Sequence, residues 1–144
     1  MSSIEARLQT LEDREAIRAL LTAYRRALDE KDFEAYAELF GDDGEFVTDA
    51  TGPVRGRTAI IAMLAELQRS GALTAAAGDD RHLATNVEID LDGDRATVRS
   101  TWVYLTRADD GGPHLTLVGH YDDDVRRTAA GWRFARRAAP CDIP

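Results

Sequence analysis

Apolar positions in the first third of the chain recur at spacings of three, four and seven. Ile4, Leu8 and Leu11, then Ile17, Leu21, Tyr24 and Leu28, mark one stripe of a first helix whose other faces carry Glu and Arg. The pattern runs out at Asp29-Glu30-Lys31, and the acidic pair Glu12-Asp13 allows a break within it. Asp32 suits the N-cap of a short second helix, with Phe33, Tyr36, Ala37 and Phe40 on one face and Gly41 closing it. Asp42-Asp43-Gly44 reads as a turn, Glu45 to Thr48 as a brief strand and Thr51-Gly52-Pro53 as another turn. Gly56-Arg57-Thr58 then opens a third helix in which Ile60, Ile61, Leu64 and Leu67 are buried and Gly71 is the stop.

From Arg81 the period changes from 3.6 to 2 and stays there. Val87, Ile89 and Leu91 alternate with Glu88 and Asp90, while His82, Ala84 and Asn86 have the opposite parity. A regular strand would therefore put His82 and the apolar trio on different faces of one sheet. Asp92-Gly93 is a strong hairpin signal leading into Arg95 to Arg107, where Ala96, Val98, Ser100, Trp102 and Tyr104 share a face. Asp109 to Pro113 turns the chain into a strand from His114 to Val125, and Thr128 to Gly131 turns it into Trp132 to Arg136. Helices first and a meander of long antiparallel strands second make an α+β plan, with the helices on one face of the sheet. Strands this long curl, and a curled sheet closed by helices leaves a hollow.

The 144 residues fit a single domain spanning 1–144, large enough to bury a core without a metal or disulfide staple. Cys141 is the only cysteine, which excludes an intramolecular disulfide and fits a reducing, cytoplasmic setting. The sequence contains no apolar run of roughly 18–20 residues, as a membrane span would need. A net charge of -8 repels phosphate backbones and anionic lipid, and the arginines come as scattered pairs, so neither nucleic acid nor a membrane is an expected partner. His114 and His120 lie about 20 Å apart along a strand and cannot share an ion. No HxH, HExxH or paired-Cys spacing is present, and Asp42-Asp43-Gly44 lacks the later Glu of a calcium loop. No metal and no cofactor is expected.

Several of these pieces together resemble the SnoaL-like branch of the nuclear-transport-factor-2-like superfamily, which holds polyketide cyclases and small dehydratases. They are Ile17 to Leu21 with Tyr24 and Leu28-Asp29, the acidic turn at 42–44, Gly56, His82 with Asn86, the Trp102 strand, and Gly131-Trp132-Arg133. The resemblance implies a cone, in which a strongly bent sheet wraps the long first helix and short helices close the mouth. It also implies that His82 is a general acid/base and that Asp29 orients it. The bile-acid dehydratase type matches at Tyr24 as well but carries Asp where this chain has Thr106, which argues against a bile-acid-like substrate.

Imidazole suits elimination or ring closure beside a carbonyl, because one group with an ordinary pKa of about 6.5 both takes and gives a proton near neutrality. Asp29 lies off the 17/21/24/28 stripe at the helix exit, where it can reach into a hollow; Tyr24 can offer its hydroxyl to a substrate oxygen. Phe46, Ile60, Leu64, Trp102 and Tyr104 are the expected apolar walls, with Asn86 and His120 as further contacts. Each has a plainer reading: His82 as a satisfied core residue, Asp29 as a helix-end carboxylate bonding the turn, Tyr24 as core. His120 lines the hollow only if Tyr121 does not face inward, and Asp122-Asp123-Asp124 is most simply a solvated strand end. Three functions follow: a cofactor-independent dehydratase or cyclase acting on a small hydrophobic carbonyl compound, a binding module of the same shape, or an interaction subunit. The outer sheet face with Val103 and Leu105 predicts a homodimer or homotrimer.

Overall fold

Helix α1 (Ile4–Asp29) fixes the frame of the molecule. The computed structural model describes residues 3–144. Ser3 caps α1 by accepting from the Ala6 amide at 3.1 Å, and Glu5 and Arg26 match the polarity of its two ends. The helix is unbroken at Glu12-Asp13, because Asp13 is an anchor: Arg127 donates to it at 2.7 Å and the Trp132 indole at 3.2 Å. The stripe predicted from Ile4 onward is buried only from Asp13 and Ile17 on. Ile4, Leu8 and Leu11 are 78%, 53% and 64% exposed, since the first turns run past the sheet.

The end of α1 is a Schellman turn, in which the Asp32 amide donates to Ala27 O at 2.9 Å and the Lys31 amide to Leu28 O at 3.2 Å. Lys31 occupies the left-handed position at φ 60°, where Gly is the usual residue and a side chain costs about 1–2 kcal/mol. Asp32 then caps α2 (Phe33–Glu38) through the Ala35 amide at 3.1 Å. This helix stops short of the predicted Gly41, because the Phe134 amide donates to Leu39 O at 2.9 Å and draws the chain into the sheet. Strand β1 (Phe40–Thr48) absorbs the acidic turn as an irregularity between Phe40 and Glu45. A Cβ on Gly44 would lie 2.7 Å from Cβ of Phe40, so the fold there requires glycine. The segment expected as a turn at 51–53 contributes instead to β2 (Gly52–Arg55), antiparallel to β1. Helix α3 (Arg57–Arg69) ends at Ser70, with Gly71 left-handed.

The remaining strands are β3 (Asp80–Asp92), β4 (Arg95–Arg107), β5 (Pro113–Thr128), β6 (Gly131–Ala138) and a short β7 (Cys141–Ile143) that sequence reading did not anticipate. Their order is β2-β1-β6-β5-β4-β3, with β7 paired to β5. All pairs are antiparallel except β1 with β6. The result is the expected α+β plan, helices followed by a large curved, open sheet.

One local feature changes how β3 faces. His82 pairs with Tyr104 and Ala84 with Trp102, but beyond a register shift between Thr85 and Glu88 it is Ile89 that pairs with Val98 and Leu91 with Ala96. Directly opposed residues point to the same side of an antiparallel pair. A bulge at left-handed Asn86 (φ 55°) has therefore inserted one residue and inverted the parity. His82 therefore shares a face with Ile89 and Leu91, not the opposite one that regular alternation implied.

The acidic run of β5 also departs from expectation. Asp123 is not solvated: it is buried against Arg137, whose Nε lies 3.0 Å from Oδ1 and whose Nη2 donates to Oδ2 at 3.2 Å. The guanidinium stacks between the rings of Tyr121 and Tyr24, at 3.5 and 4.0 Å from their centroids. Among the described residues, no helix is long and apolar enough to cross a membrane.

Candidate active site

The concave face encloses a cavity of about 250 Å3 with mostly apolar walls. Of the predicted walls, Phe46, Leu64, Trp102 and Tyr104 line it. Ile60 is fully buried but packs in the core behind it. Asn86 and His120 open onto a different depression, with Arg99 and Thr101. Asn86 is displaced by the bulge. His120 points away because Tyr121, the adjacent residue on β5, faces inward. His120 instead meets Asp142 of β7, with Nδ1 at 2.8 Å, and Asp122 of its own strand, with Nε2 at 3.4 Å.

His82 and Asp29 meet at this cavity. The last residue of α1 and the third of β3 are brought together so that Asp29 Oδ1 accepts from the His82 amide at 3.0 Å and contacts ring Nδ1 at 2.8 Å. Asp29 is buried, and its Oδ2 accepts from Arg25 at 3.4 Å. A carboxylate that accepts at Nδ1 favours the ring tautomer with its proton there. The plainer reading of Asp29 holds in part: it is a helix-end carboxylate, but it bonds the sheet and not its own turn.

The imidazole is held on its face as well as its edge. Its ring stacks on Tyr104, with centroids 4.5 Å apart at 25°. The Tyr104 hydroxyl donates to Asp80 at 3.0 Å, and Lys31 reaches both oxygens of Asp80 at 2.8 and 2.7 Å. Burial works to raise the Asp80 carboxyl, yet the Lys31 ammonium prevails and holds it below the usual carboxylate range. Burial, then the neighbouring carboxylate, pushes the Tyr104 hydroxyl up. Neither Lys31 nor Asp80 was legible as a site residue, since both look like ordinary charges at element ends.

Tyr24 lines the cavity beside Tyr36, whose hydroxyl donates to that of Tyr24 at 2.8 Å. Burial first, and Tyr36 second, raises the Tyr24 hydroxyl well above its ordinary value, so it remains a protonated donor. Tyr121 also interacts with Tyr24 through its side chain, so the three hydroxyls form one buried cluster at the cavity wall. Tyr36 was missed in the sequence, and Tyr121 entered there only as the inward-facing alternative to His120. Tyr36 looked like an apolar residue of the second helix's stripe.

A SnoaL-like domain model matches residues 9–138 of the chain. An uncharacterised protein of Mycobacterium tuberculosis is 31% identical over 129 residues, covering 88% of this chain and 84% of the relative. Among solved structures, an NTF2-like protein with a cystatin-like fold from Novosphingobium aromaticivorans is 34% identical, with TM-score 0.86 over 98% of this chain and 91% of that one. A protein of the same organism described as a candidate scytalone dehydratase is 26% identical, with TM-score 0.76 over 93% and 87% of the two chains.

Proposed function

The chain belongs to the SnoaL-like domain family, and on that premise we propose that it is a cofactor-independent lyase or isomerase, a dehydratase or cyclase of small hydrophobic carbonyl compounds. The observation that carries this reading is the 2.8 Å contact between Asp29 and the His82 ring at the wall of an apolar cavity. The likeness to the candidate scytalone dehydratase supports the same class.

In the dehydratase form, Nε2 of neutral His82 takes a proton from the carbon beside the substrate carbonyl. The electron pair moves into the carbonyl, whose oxygen receives a hydrogen bond from Tyr24. Asp29 supports the imidazolium so formed. The pair then returns to form the C=C bond as the β-hydroxyl leaves, protonated by His82, as water. No electrons are gained or lost overall, so acid-base groups suffice. In the cyclase form the same carbanion attacks a second carbonyl within the guest.

The test is a screen of β-hydroxyketones and polyketide-like aromatics by ultraviolet absorbance, with wild type against His82→Gln. Turnover in the wild type that falls about 10²–10⁴-fold in the variant is the expected result. Equal rates would remove His82 from the mechanism. Saturable binding without turnover in either protein would favour the binding-module reading.

A further inference from the structure

Two side-chain links run in parallel from the end of α1 to the start of β3. Asp29 holds His82, and Lys31, two residues on, holds Asp80, two residues before the histidine. Lys31 makes its link from a left-handed backbone that glycine would adopt more readily. Strain retained at such a place is explained when the side chain has work to do, and here the ammonium neutralises a carboxylate that is only 2% exposed. Asp80 also accepts from Tyr104, the residue stacked on the His82 ring. The edge support and the face support of the imidazole thus both return to the Lys31–Asp80 pair.

We infer that Lys31 and Asp80 are positioning residues for the His82 imidazole, fixing the helix end against the strand and the Tyr104 ring against the histidine. What the positioning serves rests on the proposed acid-base role of His82; the positioning itself does not. Lys31 sets how close Asp29 stands to the ring, because only one residue separates them on a turn closed by two backbone hydrogen bonds.

The test reads His82 directly by nitrogen-15 NMR of the ring and by hydrogen exchange of its backbone amide, neither of which depends on turnover. The wild type is expected to show one neutral tautomer, protonated at Nδ1, and a slowly exchanging amide. The paired variant K31M/D80N leaves no buried charge alone. It is expected to keep its circular dichroism, lose the single tautomer and exchange the His82 amide at least tenfold faster. K31R, which keeps the cation beside Asp80, should retain the wild-type tautomer and amide rate. A folded K31M/D80N with the wild-type tautomer and amide rate overturns the inference. If that variant does not fold, Tyr104→Phe, which removes only the hydroxyl on Asp80, decides: a shifted ring signature supports the linkage and an unchanged one ends it. Loss of the single tautomer in a protein that turns over no substrate would sink the proposed reaction and leave the clamp standing.

Discussion

One oxygen of Asp29 serves two donors of a single residue, the backbone amide of His82 at 3.0 Å and its ring Nδ1 at 2.8 Å. The carboxylate therefore fixes where β3 begins and how the imidazole is turned. Helix end, strand start and ring orientation are one problem with one solution.

Asp29→Asn and Asp29→Ala separate those duties. Asparagine keeps an accepting oxygen but lacks the charge that supports an imidazolium. If the carboxylate supports an imidazolium in the proposed reaction, the variant should lose about 10- to 100-fold in rate, the order of one charge-assisted hydrogen bond of about 1.5–3 kcal/mol, and its urea midpoint should fall by less than that of the alanine variant. Alanine also orphans the His82 amide and should cost about 1–3 kcal/mol in urea denaturation.

Gly119→Ala should strike the cavity wall. A Cβ there would overlap both the Trp102 ring and the Pro140 carbonyl oxygen, which accepts from the His120 amide as the C-terminal segment crosses β5. Overpacking of this kind costs about 1–3 kcal/mol, and Trp102 fluorescence should shift as its indole loses its bond to His120 O. A variant with unchanged stability and emission would show that the segment does not press on the sheet.

Asn86 tests the bulge. Asn86→Gly should be neutral or nearly so, whereas Asn86→Val should destabilise by about 1–2 kcal/mol because the position is left-handed. Deleting the residue restores regular alternation and must turn one half of β3 outward, so the deletion variant should lose most of its cooperative unfolding transition.

His120 predicts a pH response of the C-terminal strand. The Asp142 hydrogen bond is the largest of the influences that raise its pKa, with Asp122 adding to it. A raised histidine contributes stability fully below its unfolded value of about 6.5 and loses that contribution as pH rises through the folded value. Amides of residues 141–143 should thus be better protected at pH 6 than at pH 8.5. The NMR titration midpoint of His120 should lie above 6.5 and fall in Asp142→Asn.

The order of helices and hairpins was legible because periodicity and turn chemistry are local. The 17/21/24/28 stripe, the Asp32 cap and Asp92-Gly93 each state their structure within a few residues. The resemblance supplied the expectation that Asp29 and His82 meet, which spacing alone does not contain. The facing of β3 was misread because one inserted residue shifts alternation without altering composition. Asp123 looked solvated because its partner Arg137 lies on another strand, in a pair that only the folded sheet creates. Lys31 and Asp80 were invisible for the same reason.

The parallel pairing of β1 with β6 sets Glu45 beside Arg136. Parallel contacts so far apart in the chain form late, since a long loop must close before they return any energy. During synthesis the first strand therefore waits, unpaired on that edge, until β6 has emerged. A chain cut before Gly131 would leave its early-made half with an open seam, a bare strand edge on which other chains can pair.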